Sequence, residues 1–169
     1  MTIRRLLPSD ASDFQALRLR GLREVPTAFS SSYEEECDRS VDAIAERISA
    51  NPDGAIFGAF DDRVLVGVIG LQREKHTKLA HKAVIWGLYV APEFRKQGIA
   101  RLLVDEALKF AFAMPGVRQV NLGVNAANAP AIALYQAAGF RPFGIERGCM
   151  IVDGVLEDEI HMVYVREEG

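Results

Sequence analysis

The spacing of apolar and polar positions along the chain predicts alternating strands and helices with short connections. Thr2 to Arg5 reads as a first strand. Ser9 or Asp10 can cap a helix running to about Glu24, with Phe14, Leu17 and Leu22 among its apolar positions. Pro26 to Asp38 reads as a loop holding Phe29, Ser30 to Ser32, Tyr33 and the run Glu34-Glu35-Glu36. Ser40 caps a second helix through Ile44 and Ile48, stopped near Asn51-Pro52. Ala55 to Phe60 and Val64 to Gln72 are strands joined by the hairpin signal Asp61-Asp62-Arg63. Arg73 to Lys82 is a polar turn. It leads to a strand from Ala83 to Val90 and then to a helix, which Pro115-Gly116 ends. Gln119 to Val124 is another strand, followed by a short alanine-rich helix. Arg141 to Val152 and Leu156 to Arg166 form a last hairpin about Asp153-Gly154. The order β-α-α-β-β-β-α-β-α-β-β makes a mixed α/β sheet.

Two segments carry the chemistry. In the first, the strand ending at Val90 passes through a short turn into a helix whose opening, Gly98-Ile99-Ala100, is nearly bare of bulky side chains. A helix N-terminus holds unpaired amides and about half a positive charge, so this opening is a seat for a pyrophosphate. Arg95 and Lys96 add full charges beside it, and Gly98 can take a backbone angle closed to other residues. Neither the triphosphatase phosphate loop nor the dinucleotide fingerprint Gly-x-Gly-x-x-Gly occurs. In the second segment, Asn128 suits a helix N-cap, Pro130 the first turn and Gly139 the C-terminal cap. Tyr135 lies between them. By composition alone it is as much a packing residue as a reactive one.

Together the segments resemble the GCN5-related N-acetyltransferase (GNAT) superfamily. Its acyl-CoA signature, Gln/Arg-x-x-Gly-x-Gly/Ala, is met by Arg95, Gly98 and Ala100. Its later phrase is met by Asn128, Ala131, Leu134, Tyr135, Gly139 and Phe140. The resemblance implies the acyl-CoA N-acyltransferase fold with splayed central strands. It also implies acetyl-CoA as cofactor, its diphosphate held by Arg95, Lys96, Gln97, Gly98, Ile99 and Ala100. The pantetheine arm would enter the splay beside the backbone of Leu88, Tyr89 and Val90, with Asn128 and Ala131 ordering the cofactor. The Val90 amide would polarise the thioester carbonyl, and Tyr135 would protonate the leaving thiolate.

The strand glutamate that many relatives use as base is missing from Val84-Ile85-Trp86-Gly87-Leu88. Glu34 or Glu35, or Glu159 and His161, are left as candidates, with water as relay. Glu34-Glu35-Glu36 also reads simply as a solvated acidic turn. Phe29, Tyr33, Glu34 and Trp86 are expected to shape the acceptor pocket, and the acidic run hints at a cationic amine. The acceptor would be a small-molecule amine or a protein amino group. A non-catalytic acyl-CoA sensor is the rival reading, and the family pattern admits a homodimer through the last strands.

Composition narrows the remaining classes. The 169 residues suit one domain spanning 1–169, and 49% hydrophobic content argues against extensive disorder. A net charge of -3 gives no basic field, so nucleic acid is not the expected ligand. Cys37 and Cys149 form no zinc-ligand pattern and no disulfide framework, which leaves no expected metal and suits a reduced cytoplasm. Met1 to Pro8 lacks a secretory apolar core, and no run is long enough to span a bilayer.

Overall fold

The computed structural model describes residues 1–166. β1 (Thr2–Arg5) is one edge of the seven-stranded sheet that these residues form. It is followed by α1 (Ala11–Glu24), the single-turn α2 (Tyr33–Glu36) and α3 (Val41–Ile48). β2 (Gly54–Asp61), β3 (Val64–Arg73) and β4 (Lys82–Val90) make an antiparallel meander. Then come α4 (Ile99–Ala113), β5 (Gln119–Asn125), α5 (Ala129–Ala137), β6 (Arg141–Val152) and β7 (Val155–Val165). The strand order is β1-β2-β3-β4-β5-β7-β6. β4 and β5 are parallel neighbours, and the other pairs run antiparallel.

The expected element order therefore holds, with three local corrections. The loop expected over 26–38 contains α2, because Ser32 and Glu35 close a reciprocal capping box around its first turn. Asp10 occupies the N-cap position of α1 without capping it. Its carboxylate instead accepts from the Leu7 amide and pairs with Arg4. The polar turn before β4 holds a 3-10 turn, Thr77–Leu79, tied back by Arg73 Nε donating to the Ala80 carbonyl. Ser40 does cap α3, accepting from the Ala43 amide, and Asp153 and Gly154 both take positive φ in the last hairpin.

Strand alternation sends side chains into two cores, one on each face of the sheet. Phe57, Ile69, Ile85 and Val90 pack with Leu103, Val104 and Ala107 of α4. Ile56, Phe60, Val68 and Tyr89 pack with Phe14, Leu17 and Leu22 of α1 and with Ile44 and Ile48 of α3. Trp86 and Tyr89 share the α1 face although they are three residues apart, which a period of two forbids. A bulge explains it. Val68 pairs with Tyr89 and Gly70 with Trp86, so Gly87 and Leu88 together oppose Ile69. Gly87 has a φ of 64°, the left-handed angle that the bulge requires.

The parallel contact between β4 and β5 is short. It covers Lys82 with Gln119, Ala83 with Val120 and Val84 with Asn121, and there it ends. From Ile85 onward β4 leaves β5, which stays paired with β7 through Asn125 opposite Glu159. The sheet is split down its middle, and the site lies around that split.

Candidate active site

The upper wall of the split is β4 and the turn that follows it. The Ala91 amide donates to the Val66 carbonyl at 2.9 Å. In an antiparallel ladder this turns the backbone groups of Tyr89 toward β3 and those of Val90 away from it, into the split. The Val90 carbonyl accepts from Arg95 Nε at 2.9 Å, and its amide is left facing the opening. Lys96 and Gly98 both take left-handed angles, φ 61° and 79°. Among the described residues, no acceptor takes the amides from Lys96 to Arg101, and the first bond of α4 runs from the Leu102 amide to the Gly98 carbonyl. Successive bare amides in such a turn, at a helix N-terminus, form a concave anion seat. A side chain at Gly98 would meet nothing within 4 Å, so the seat opens to solvent.

Arg95 does not stand loose beside that seat. Its Nη2 pairs with Glu24 Oε1 at 2.6 Å, and its guanidinium lies 5.6 Å from the Tyr89 ring. The Tyr89 hydroxyl donates to the other Glu24 oxygen at 2.8 Å. Burial and then the Glu24 carboxylate push the phenol up to about 12, so it stays a donor. Tyr89 and Arg95 thus brace the β4–α4 turn against α1. The Tyr89 backbone is paired with β3, so of the two it is Val90 that turns its backbone to the split.

The lower wall is set by α5. Asn128 Oδ1 accepts from the Ala131 amide at 3.2 Å, the expected N-cap. At the other end the Phe140 amide donates to the Tyr135 carbonyl and the Gly139 amide to that of Gln136, with Gly139 at φ 102°. This is a Schellman cap, and its usual apolar contact is Phe140 against Tyr135, ring centroids 5.7 Å apart. The phrase Leu134-Tyr135…Gly139-Phe140 is therefore a device for fixing Tyr135. Burial alone raises the Tyr135 phenol pKa, and among the described residues no group hydrogen-bonds its hydroxyl. Arg101 of α4 donates to the Ala137 carbonyl at 2.8 Å and so ties the anion seat to the C-terminus of α5.

Beyond the Gly87 bulge lies a cavity of about 480 Å³ between α1, the 26–38 segment, α3 and the β5–β7 pair. Trp86 lies against β3 here, where only a glycine at Gly70 leaves room for its ring. Phe29, Arg18, Arg47, Asn125 and Glu159 line the rest. Tyr33, Glu34 and Glu35 face an adjoining cavity of about 540 Å³, which shares Phe29 and Met150 with the first. Phe29 and Trp86 thus line the cavity at the bulge, while Tyr33 and Glu34 line the adjoining one.

Glu36 is the residue that the acidic run concealed. It is 4% exposed and pairs with Arg18, itself 7% exposed, at 3.0 Å. Burial would raise its pKa, but bonds from Arg18 and Ser31 outweigh that and hold it below the ordinary carboxylate value. The solvated acidic turn is therefore only half right. Arg18 Nη1 lies beside the bulge, 3.0 Å from where a Gly87 side chain would start. Glu34 is exposed, and Glu35 is occupied in its capping box. Glu159 sits over Gly123 on the cavity wall, with His161 Nε2 3.9 Å away and in turn 3.1 Å from Glu146. Among the expected bases it is the one that lines this cavity. Glycines inside strands, Gly70, Gly87 and Gly123, were the available signal for these close approaches.

A sequence profile described as the acetyltransferase (GNAT) family matches residues 20–140. N-acetyltransferase 8 of Homo sapiens is 33% identical over 113 residues, 63% of this chain and 47% of that protein. N-alpha-acetyltransferase RimI of Mycobacterium tuberculosis is 34% identical over 112 residues, 66% of this chain and 68% of that protein. The matched stretch spans about half or less of several curated relatives. The structure of yncA from Salmonella typhimurium, solved with its cofactor acetyl-CoA, superposes with a TM-score of 0.86 at 16% identity, covering 99% of this chain and 95% of that one. No helix among the described residues is long and apolar enough to cross a membrane.

Proposed function

The chain belongs to the acetyltransferase (GNAT) family, and on that premise we propose that it transfers the acetyl group of acetyl-CoA to a primary amine. The observation that carries this reading is the opened β4–β5 split, with bare amides at its α4 end and, in the α5 wall, the buried residue Tyr135, whose hydroxyl bonds no described residue. The diphosphate rests on the amides from Gln97 to Arg101. The pantetheine arm runs along the free edge of β4 past Leu88 and Val90.

The amine nitrogen attacks the thioester carbonyl carbon, and the Val90 amide receives the developing oxyanion. As the carbon–sulfur bond breaks, the thiolate takes the Tyr135 proton, help worth roughly 10²–10⁴ in rate. Glu159, through water, takes the proton that the amine loses. Binding both partners across the split removes much of the entropic barrier.

A sensor would need the seat but not the acid or the second cavity, so the enzyme reading is the better fit. Thiol release from acetyl-CoA in the presence of an amine panel tests it. Amine-dependent thiol is expected; silence toward every amine, with cofactor binding confirmed by calorimetry, would favour the sensor. Its setting is cytoplasmic on this reading, with Cys37 and Cys149 as free thiols. Phe143, Ile145 and Ile151 on the edge strand β6 are 60%, 55% and 68% exposed and offer a face for a second copy, to be read by sedimentation.

A further inference from the structure

We propose that the acetyl acceptor is a small amine carrying a carboxylate, an amino acid in the broad sense, whose anionic end seats at Arg18 and Arg47 over Trp86. This rests on the acetyl-transfer reading for the word acceptor, but the anion site is argued from its own residues.

Arg18 offers five donors in a rigid fork. Nε and Nη2 face Glu36 at 3.2 and 3.0 Å, and Nη2 also donates to Ser31. Nη1, on the far side of the fork, is buried with no partner among the described residues. Turning the guanidinium to satisfy it would break the Glu36 pair. A buried donor on a charged group is costly to leave unpaired, so the site holds an unmet demand for an acceptor atom beside the bulge.

Arg47 adds a second charge. Its guanidinium stands 4.6 Å from the Trp86 ring centroid, and that of Arg18 stands 5.9 Å from the same ring. Among the described residues, no carboxylate pairs with Arg47. Desolvation at the cavity wall lowers its pKa; Glu36 opposes this, while Arg18 and Arg39 add to it. Glu36, the carboxylate that feels both guanidiniums, is already committed to Arg18. Two cations on one aromatic platform, with one anion spent, leave a positive surplus that a ligand carboxylate would neutralise, and arginine forks match carboxylates in shape.

The remaining wall supplies the complement. Glu159 comes from β7 and lines the same cavity. A molecule with its carboxylate at the arginines can direct its amine toward Glu159 and the bulge, where the thioester would lie. About 480 Å³ is ample for a free amino acid. The acidic run that hinted at a cationic amine does not line this cavity as a free anionic cluster: Glu36 is paired with Arg18, and Glu34 and Glu35 face the adjoining cavity.

Trp86 is the chain's one tryptophan, so its fluorescence reports on this cavity without requiring turnover. The experiment titrates the full chain with coenzyme A present. The ligands are the common amino acids, β-alanine and 4-aminobutyrate, then their carboxamides, and then putrescine and spermidine. Saturable change with at least one carboxylate-bearing amine is expected, with its carboxamide at least tenfold weaker. Arg47→Gln should weaken the response tenfold or more, leave coenzyme A affinity unchanged, and raise KM rather than lower kcat; Arg47→Lys should recover part of it. Equal binding of carboxamides or polyamines, no response to any carboxylate, or an indifferent Arg47→Gln would each overturn the proposal. Carboxylate binding that depends on Arg47 but gives no acetylation would uphold this site and sink the acetyl-transfer reading.

Discussion

The two halves of the site are made of different material. On the proposed cofactor side the candidate groups are backbone amides, from Gln97 to Arg101, set by left-handed turns at Lys96 and Gly98. On the proposed acceptor side they are side chains that line one cavity, Arg18, Arg47, Trp86 and Glu159, brought from α1, α3, β4 and β7. A backbone seat needs only a few adjacent residues that stay out of the way. A side-chain cavity needs charges that compensate one another across long stretches of chain. The first should tolerate most side-chain changes, and the second should not.

The largest expected effect lies on the acceptor side. Glu36→Gln leaves the buried Arg18 charge uncompensated and should cost about 3–5 kcal/mol in denaturant unfolding at neutral pH. The sign with pH follows from the lowered pKa of Glu36. Its stabilisation is present above the ordinary value of 4.5 and is lost as pH falls through the lower folded value. The melting temperature of the parent should therefore drop more steeply below about pH 4.5 than that of Glu36→Gln. Equal slopes would remove Glu36 from the acid limb.

On the cofactor side, Gly98→Glu places a charge and bulk in the open seat. It should weaken acetyl-CoA binding by calorimetry about a hundredfold, or about 2.7 kcal/mol. Tyr135→Phe should slow turnover at least about tenfold while leaving cofactor affinity and melting temperature nearly unchanged, since its hydroxyl bonds no described residue. The smallest effect sharpens the contrast. Gln97→Ala keeps every amide and should change acetyl-CoA affinity less than about threefold. A large loss there would mean that side chains, not the backbone, hold the diphosphate.

The same contrast decides what could be read from the sequence. The seat was legible because its grammar is local: a strand, a turn with Gly98, then Ile99 and Ala100 opening a helix. Tyr135 was legible as part of a capping phrase, Asn128 to Phe140, each end of which forms the bond its residue type favours. Arg18 and Glu36 were not, because eighteen positions separate them and the acidic run around Glu36 reads as surface. Nor did the strand pattern disclose the bulge, although Trp86 and Tyr89 on one face with Gly87 between them carried the signal. Arg95 fits the signature by position, while the bonds of its side chain to Glu24 and the Val90 carbonyl could not be read from it.

The central claim is that exposed peptide groups at the head of α4 grip the coenzyme A diphosphate. Amide-resolved NMR during a titration with coenzyme A tests it most directly. The account predicts that the resonances from Gln97 to Arg101 shift most, and downfield, as new hydrogen bonds form. If those amides stay still while the coenzyme binds, and another segment responds instead, the claim is wrong.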